Sequence, residues 1–586
     1  MVDPSSAPDA SAPERRDARQ DQQRRSAVVV AVNGARATVA AAMSDLSEAG
    51  ALWSIGDLVA IYGRKSRVIC LVQDMAAANQ RWEPGVENYV HANVEILGEV
   101  FDGEDGRPVF RRGVSNYPSL GSPVSRIRQT DFVAIYDLGK RKATVIGQLV
   151  QAQIPAAIDA DAMLRRHFAV VGTTGVGKST SVAILLRAAL AERPNMRVVI
   201  LDPHNEYSAA FRKEASTVEA RSFELPFWLF NFEEFLEVVY RGAPAPVDEA
   251  DFLREAIDVA REAFHGGGSA ASLVKKTYRA EDHSAPDAPR PYRLTDVLAH
   301  IETEIGKLEP RYTRFALRSL KTRLEALNRD PSFRFMFGKA AVEAHPNFVT
   351  RGLFHLNDVE RPVTILRMAG IPSDVVNASV SVLSRLAFDL CVGSRGAQEI
   401  LLVCEEAHRY VPADSGFGFG PTRRSIARIA KEGRKYGCFL GIVTQRPAEL
   451  DPTILSQCST VFAMRLSNSA DQAIMRSAIP DNAGGALEFI SALNNRECIA
   501  FGEAVATAMR LIFTEQRDEL LPRMSLDWEE GVGAPQAIPT PAAAETKDAE
   551  PISAPQYAPT RVRANESIPS TRDWPSSERV FGMARR

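Results

Sequence analysis

The stretch that most limits what this chain can become is 168–180, Phe-Ala-Val-Val-Gly-Thr-Thr-Gly-Val-Gly-Lys-Ser-Thr. Gly172, Gly177, Lys178 and Ser179 fit the spacing G-x-x-x-x-G-K-[ST]. The apolar run before Gly172 has the length of a buried strand. After Ser179, residues Val182, Leu185, Leu186, Ala189 and Leu190 recur on one side of a helix. Strand, glycine loop and helix together make a phosphate cradle. Glycines let backbone N–H groups converge on anionic oxygens, and the helix N-terminus adds positive charge. Gly172, Thr173, Thr174, Gly175, Val176, Gly177, Lys178, Ser179 and Thr180 are therefore the expected ATP-binding residues. Lys178 would reach the β- and γ-phosphates, and the Ser179 hydroxyl would hold Mg²⁺. An accidental glycine-rich turn would not carry the complete motif with both flanks correct.

Three further strand ends supply polar groups. The run 197–201 ends at Asp202, in Leu-Asp-Pro-His-Asn-Glu-Tyr, and open α/β sheets bind ligands at such carboxyl ends, so Asp202 joins the expected ATP-binding residues. Residues 400–404 are apolar and deliver Glu405 and Glu406, a Walker B arrangement. Glu405 is the expected metal residue together with Ser179, and Glu406 would polarise the attacking water. The run 438–443 ends in Thr444-Gln445-Arg446-Pro447, where Gln445 can sense a γ-phosphate. Between the last two, 415–424 is glycine-rich and ends in Arg423 and Arg424. It is read either as a mobile DNA-contacting loop or as a plain connector. The helix that follows turns Arg428, Lys431 and Lys435 outward and is expected to stop at Gly437.

The rest of the chain organises around this core. Residues 1–25 and 533–586 have little to bury and read as disordered tails. Short strand-like runs at 27–32, 37–43, 57–62, 67–72, 94–100, 132–136 and 144–149 suggest a small β-barrel over 26–153. A helical, charged insertion is expected over 205–345, splitting the ATPase core into 154–204 and 346–532. Its helix with Arg311, Arg314, Arg318, Lys321 and Arg323 reads as a solvated face rather than a DNA surface.

With 586 residues, several domains fit. A formal charge of −3 gives no global basic field, so nucleic acid would have to be met locally, as in a lined channel. The six cysteines show no paired CxxC spacing and suit a reducing cytoplasm. No stretch approaches the roughly 18 apolar residues of a membrane span. No membrane partner is expected.

Taken together, the motifs resemble the HerA family of hexameric DNA-translocating P-loop ATPases, relatives of FtsK. The matching residues are Arg166-His167, Gly172–Ser179, Asp202-Pro203-His204-Asn205-Glu206-Tyr207, Glu405-Glu406-Ala407-His408, Ala430–Gly437 and Thr444-Gln445-Arg446-Pro447. The resemblance covers about 165–505. It implies a RecA-like α/β core behind a small N-terminal barrel, a homohexamer, and double-stranded DNA in the central channel. It further implies that an arginine reaches a neighbour's nucleotide, with Arg434, Arg166 and Arg428 as candidates. Two positions depart from the pattern: Asn205 stands where relatives often have Gly, and Arg367 where they commonly have an acid.

The function expected from all this is an ATP-driven translocase with ATP and Mg²⁺ as cofactors. It would serve a separate nuclease or effector docked on the barrel, in DNA end processing or in defence against foreign DNA. Two alternatives are a nucleotide-gated ring that only assembles a partner enzyme, and a secretion-type ring ATPase. Glu406 argues against the first, since a gate needs no water-activating acid.

Overall fold

The computed structural model describes residues 27–43, 53–78, 88–152, 154–219, 225–266, 289–337, 354, 356, 358, 360–414, 416, 418–478 and 485–523. The tails expected over 1–25 and 533–586 lie outside these residues, as do positions 415 and 417 of the expected loop.

The first element group is a closed barrel. Its strands are β1 (Ala27–Asn33), β2 (Arg36–Met43), β3 (Leu58–Tyr62), β4 (Ser66–Ala77), β5 (Asn88–Asp102), β6 (Pro108–Arg112) and β7 (Pro123–Arg126). The order β2-β1-β7-β3-β4-β5 closes through a β2–β5 pairing, and β6 continues from β5. Closure removes the open sheet edges that small sheets otherwise expose. Val29, Val39, Ile61, Cys70 and Val94 fill the interior and are buried.

Residues 132–136, expected as a strand, instead belong to helix α1 (Gln129–Tyr136). The run is rich in β-branched and aromatic residues, which mimics strand texture. Its buried positions Asp131, Phe132 and Ile135 follow helical spacing. Asp131 is also pinned by Arg67, with Nε to Oδ2 at 2.7 Å and the second guanidinium nitrogen to Oδ1 at 2.9 Å. Tertiary context decided this segment.

The second group is an 11-stranded sheet with helices on it. It contains β8 (Thr144–Leu149), β9 (Pro155–Ile158), β10 (His167–Val171), β11 (Arg197–Asp202), β12 (Ala215–Glu219), β13 (Val363–Arg367), β14 (Ile400–Cys404), β15 (Cys438–Thr444), β16 (Cys458–Met464), β17 (Glu497–Gly502) and β18 (Met509–Phe513). The order is β12-β13-β11-β14-β15-β10-β16-β17-β18-β8-β9. From β12 through β16 neighbouring strands are parallel, and from β16 onward they pair antiparallel. β10, β14 and β15 are buried along their whole length. A parallel strand covered on both faces must be apolar throughout, which is why these read as continuous hydrophobic runs.

Two expected boundaries shift. Residues 144–149 were expected in the barrel, yet β8 pairs with β18 and belongs to the ATPase sheet. The segment after Asp202 was expected to open the insertion, yet β12 pairs with β13 at the sheet's edge. The described helices of the insertion begin only beyond it.

Helices α2 (Ala160–Leu164) and α3 (Lys178–Glu192) belong to one face of the sheet. The insertion supplies α4 (Phe232–Tyr240), α5 (Val247–Gly266), α6 (Leu294–Gly306), α7 (Arg314–Arg329) and α8 (Arg334–Phe337). They share the core of the other face with α9 (Ser373–Gly393) and α10 (Gly420–Glu432). Glu234, wholly buried on α4, is held by Arg385 of α9 at 2.9 Å and by Ser381 at 2.8 Å. On the basic helix α7, Lys321 pairs with Glu302 and Glu325. α9 is long and apolar enough to cross a membrane, but 67% of its apolar window is buried within the fold. It is a core helix, interrupted in sequence by Ser and Asp, which is why no uninterrupted apolar run announces it.

Candidate ATPase site

The site forms where β10, β11, β14 and β15 end together. Gly172 N–H donates to Thr444 O at 3.2 Å, tying the loop to the neighbouring strand end. A Cβ at Gly172 would sit 2.8 Å from that of Met464. Gly177 has φ +99°, a backbone that side chains disfavour, and opens α3 directly into Lys178. Lys178 is buried, and its ammonium donates to Thr173 O at 3.0 Å. Burial pulls its pKa down, while Glu405, Glu406 and Glu206 oppose that shift. Thr174 donates its hydroxyl proton to Gln445 Oε1, so the expected sensor already touches the cradle.

Asp202 does not face the cradle as a free acid. It accepts the backbone N–H groups of His204 and Tyr207 at 3.3 and 3.0 Å, which folds the turn after β11. Within that turn Asn205 has φ +55°, a left-handed conformation that Asn tolerates better than most residues. The departure from Gly at this position is thus accommodated. Arg367, the other departure, pairs with Glu219 of β12 at 2.6 Å.

The paired acids face different surroundings. Glu405 accepts from Tyr207 Oη at 2.6 Å. Burial pushes its pKa up to about 8, helped by Glu406 and Asp202 and opposed by the Tyr207 bond and Lys178. Glu405 therefore holds its proton more tightly in the fold than in the unfolded chain. Its contribution to stability falls as pH rises from the ordinary carboxylate range towards 8. Glu406 has φ +52°, strained for a non-glycine residue. Its Oε2 is buried without a hydrogen bond, with His408 Nδ1 3.4 Å away, and its Oε1 lies 3.7 Å from His204 Nε2. His408 Nδ1 meets Thr444 Oγ1 at 3.1 Å, linking this acid to the sensor strand.

Oxygen groups dominate, as suits a hard divalent cation. Ser179 Oγ, Glu206 and Glu405 gather here. Among the described residues no three His, Cys, Asp or Glu side chains form a cage, so such a cation would draw further ligands from phosphate and water.

Residues 144–387 match the family model described as the central domain of helicase HerA. A probable helicase of Methanocaldococcus jannaschii is 24% identical over 476 residues, covering 77% of this chain and 84% of that protein. The DNA double-strand break repair helicase HerA of Pyrococcus furiosus is 24% identical over 455 residues, covering 72% and 77%. Over that central region the chain is similar to the HerA family. Among solved structures, VirB4 of Thermoanaerobacter pseudethanolicus aligns at TM-score 0.45 and 14% identity over 65% of this chain and 99% of that one. The plasmid coupling protein TrwB with a non-hydrolysable ATP analogue aligns at TM-score 0.45 and 15% identity over 69% and 96%. The chain is an ATP-hydrolysing P-loop enzyme.

The arginines singled out in the HerA resemblance stay away from the cradle of their own chain. Arg166 directly precedes β10, and Arg434 lies in the 3-10 turn Gly433–Tyr436 just before β15. The two strands are parallel, so both residues sit at the edge opposite the cradle. At about 3.3 Å per residue the strands put roughly 13 and 20 Å in between, more than an arginine side chain spans. Arg434 is exposed and has no ion pair among the described residues. Arg166 pairs with Glu503 at 3.6 Å. Arg428 pairs with Asp389 at 3.8 Å and lies over the Phe388 ring. Buried His167 joins this edge together, meeting Ala430 O through Nε2 and accepting Leu440 N–H at Nδ1, both at 3.0 Å.

The end of the expected loop is helical instead. Arg423 and Arg424 lie in the first turns of α10, where Gly420 and Pro421 begin the helix. Arg423 pairs with Asp451 at 3.3 Å and Arg424 with Glu233 at 2.7 Å. Several residues of the site had no role assigned from sequence. His204, Glu206, Tyr207 and His408 fall within the family motifs, so position was their signal. Arg465 and Arg496 brace the loop through backbone: Thr173 N–H donates to Arg465 O, and Arg496 N–H to Val176 O. Nothing local in sequence marks either.

Proposed function

We propose that this protein is a ring-shaped, ATP-driven translocase of duplex DNA that works with a separate nuclease or effector docked on its barrel. The observation that carries the ring is the position of Arg434 and Arg166 on the sheet edge opposite the cradle. An arginine there can assist hydrolysis only at a neighbour's site, and a closed ring gives every site such a neighbour. Similarity to the HerA central domain supports the DNA substrate, and the name of the Pyrococcus furiosus relative supports break repair as one setting.

Within each site, Lys178 and the loop N–H groups would bind the β- and γ-phosphates, and Ser179 and Glu405 would hold Mg²⁺. The cation would neutralise charge on the transferring phosphoryl group. Glu406 would orient the water, with His408, itself held by Thr444, beside its carboxylate, and Gln445 would register the γ-phosphate. The task of such a site is positioning and charge stabilisation. The experiment pairs light scattering with steady-state hydrolysis. A hexamer whose turnover rises with added duplex DNA is expected. A stable monomer that hydrolyses ATP at full rate at low concentration would contradict the ring. Turnover indifferent to DNA would favour the scaffold or protein-moving alternatives.

A further inference from the structure

Ser179 is the cradle residue whose oxygen would meet the cation, yet its proton is already committed. Its Oγ donates a 2.6 Å hydrogen bond to Glu206 Oε2. Glu206 reaches the cradle from the turn after β11, 27 residues along the chain. That turn is fixed on several sides. Asp202 accepts two of its N–H groups, Asn205 Oδ1 accepts from Ala369 N–H at 3.3 Å, and Arg523 N–H donates to Glu206 O at 2.9 Å. The adjacent Tyr207 donates to Glu405 instead. One short turn thus serves both oxygens of the expected metal site, Ser179 through Glu206 and Glu405 through Tyr207.

A hydroxyl has one proton and two acceptor lone pairs. With its proton held by a carboxylate, Ser179 can present only lone pairs to whatever lies on its other side. We propose that Glu206 is a positioning residue of the metal site: it takes the Ser179 proton, aims the oxygen at the cation, and makes nucleotide binding depend on that cation. The second effect follows from charge. Glu206 lies close enough to Lys178 to favour its charged form. Its own negative charge therefore also sits near incoming phosphates, where it repels them unless a divalent cation stands between. This inference rests on reading the cradle as an ATP–Mg²⁺ site.

The test uses the full chain and measures binding of a non-hydrolysable ATP analogue by calorimetry, in Mg²⁺ and in EDTA. Wild type is expected to bind much more tightly in Mg²⁺. In Glu206→Gln, which keeps size but not charge, the ratio of the two affinities should shrink by about 10- to 100-fold, the usual cost of losing a partner of a metal ligand. Binding in EDTA should hold or tighten. Glu206→Asp, which keeps the charge, should retain more of the cation dependence, and thermal melting confirms that each variant folds. A purely structural role would weaken binding equally in both conditions, and that result, or an unchanged ratio, overturns the proposal. Wild type that binds no analogue in either condition would overturn the ATP-site reading itself, so the two failures are distinct.

Discussion

Replacing Glu406 with Gln is expected to leave ATP binding in place and to lower turnover by about two orders of magnitude or more, the scale for losing a catalytic acid or base. The residue's surroundings explain why. Glu406 is buried, holds a strained left-handed backbone and keeps Oε2 free of hydrogen bonds. A buried carboxylate oxygen with no hydrogen bond, beside an imidazole nitrogen 3.4 Å away, keeps lone pairs to offer a water. Gln preserves shape and one acceptor but loses the charge that turns a water towards phosphorus. The contrast is Lys178→Ala, which removes a phosphate contact and should weaken nucleotide binding itself. Nucleotide titration and steady-state hydrolysis on the same preparations read both effects. Near wild-type turnover in Glu406→Gln would sink the assignment.

The second large effect is expected at Arg434. A cation supplied by a neighbour neutralises charge developing on the γ-phosphate and can be worth roughly 10³-fold or more in turnover. A guanidinium donates two parallel hydrogen bonds, which an ammonium cannot reproduce. Arg434→Lys should therefore already be severely impaired. Arg434→Ala should still bind ATP, still form rings, and change stability by no more than about 0.5 kcal/mol, as usual for exposed positions. Its exposure and lack of an ion pair among the described residues support that separation. The discriminating experiment mixes Arg434→Ala with Glu406→Gln subunits. Some interfaces then join an intact Glu406 to an intact Arg434, and activity should partly return. If co-assembled mixtures recover nothing, doping wild-type rings with Arg434→Ala decides further. A steep loss means that turnover needs every site in the ring, and a linear loss means that Arg434 does not act across the interface.

The contrast between what sequence revealed and what it hid follows from the range of the interactions. The cradle and the acids at the end of β14 were legible because buried parallel strands are apolar throughout and stop at their functional residues. The strand β12, Ala-Ser-Thr-Val-Glu, was not, because a half-exposed edge strand carries no apolar run. The segment 132–136 misled because its composition favours a strand while Arg67, 64 residues away from Asp131, anchors a helix. Arg423 and Arg424 were placed on a loop because nearby glycines outweighed Gly420-Pro421 as a helix start. The Ser179–Glu206 contact joins two motifs that are each visible, but no spacing rule says that they touch.

The central claim is that hydrolysis at these sites moves the protein along duplex DNA. The most direct test is displacement of a third strand annealed to a linear duplex, since a translocating ring strips it without separating the duplex. Wild type with ATP and Mg²⁺ should release the third strand, whereas Glu406→Gln with ATP, and wild type with a non-hydrolysable analogue, should bind the duplex and release nothing. Release that proceeds equally without hydrolysis, or vigorous DNA-stimulated hydrolysis with no release at any ring concentration, would contradict the account.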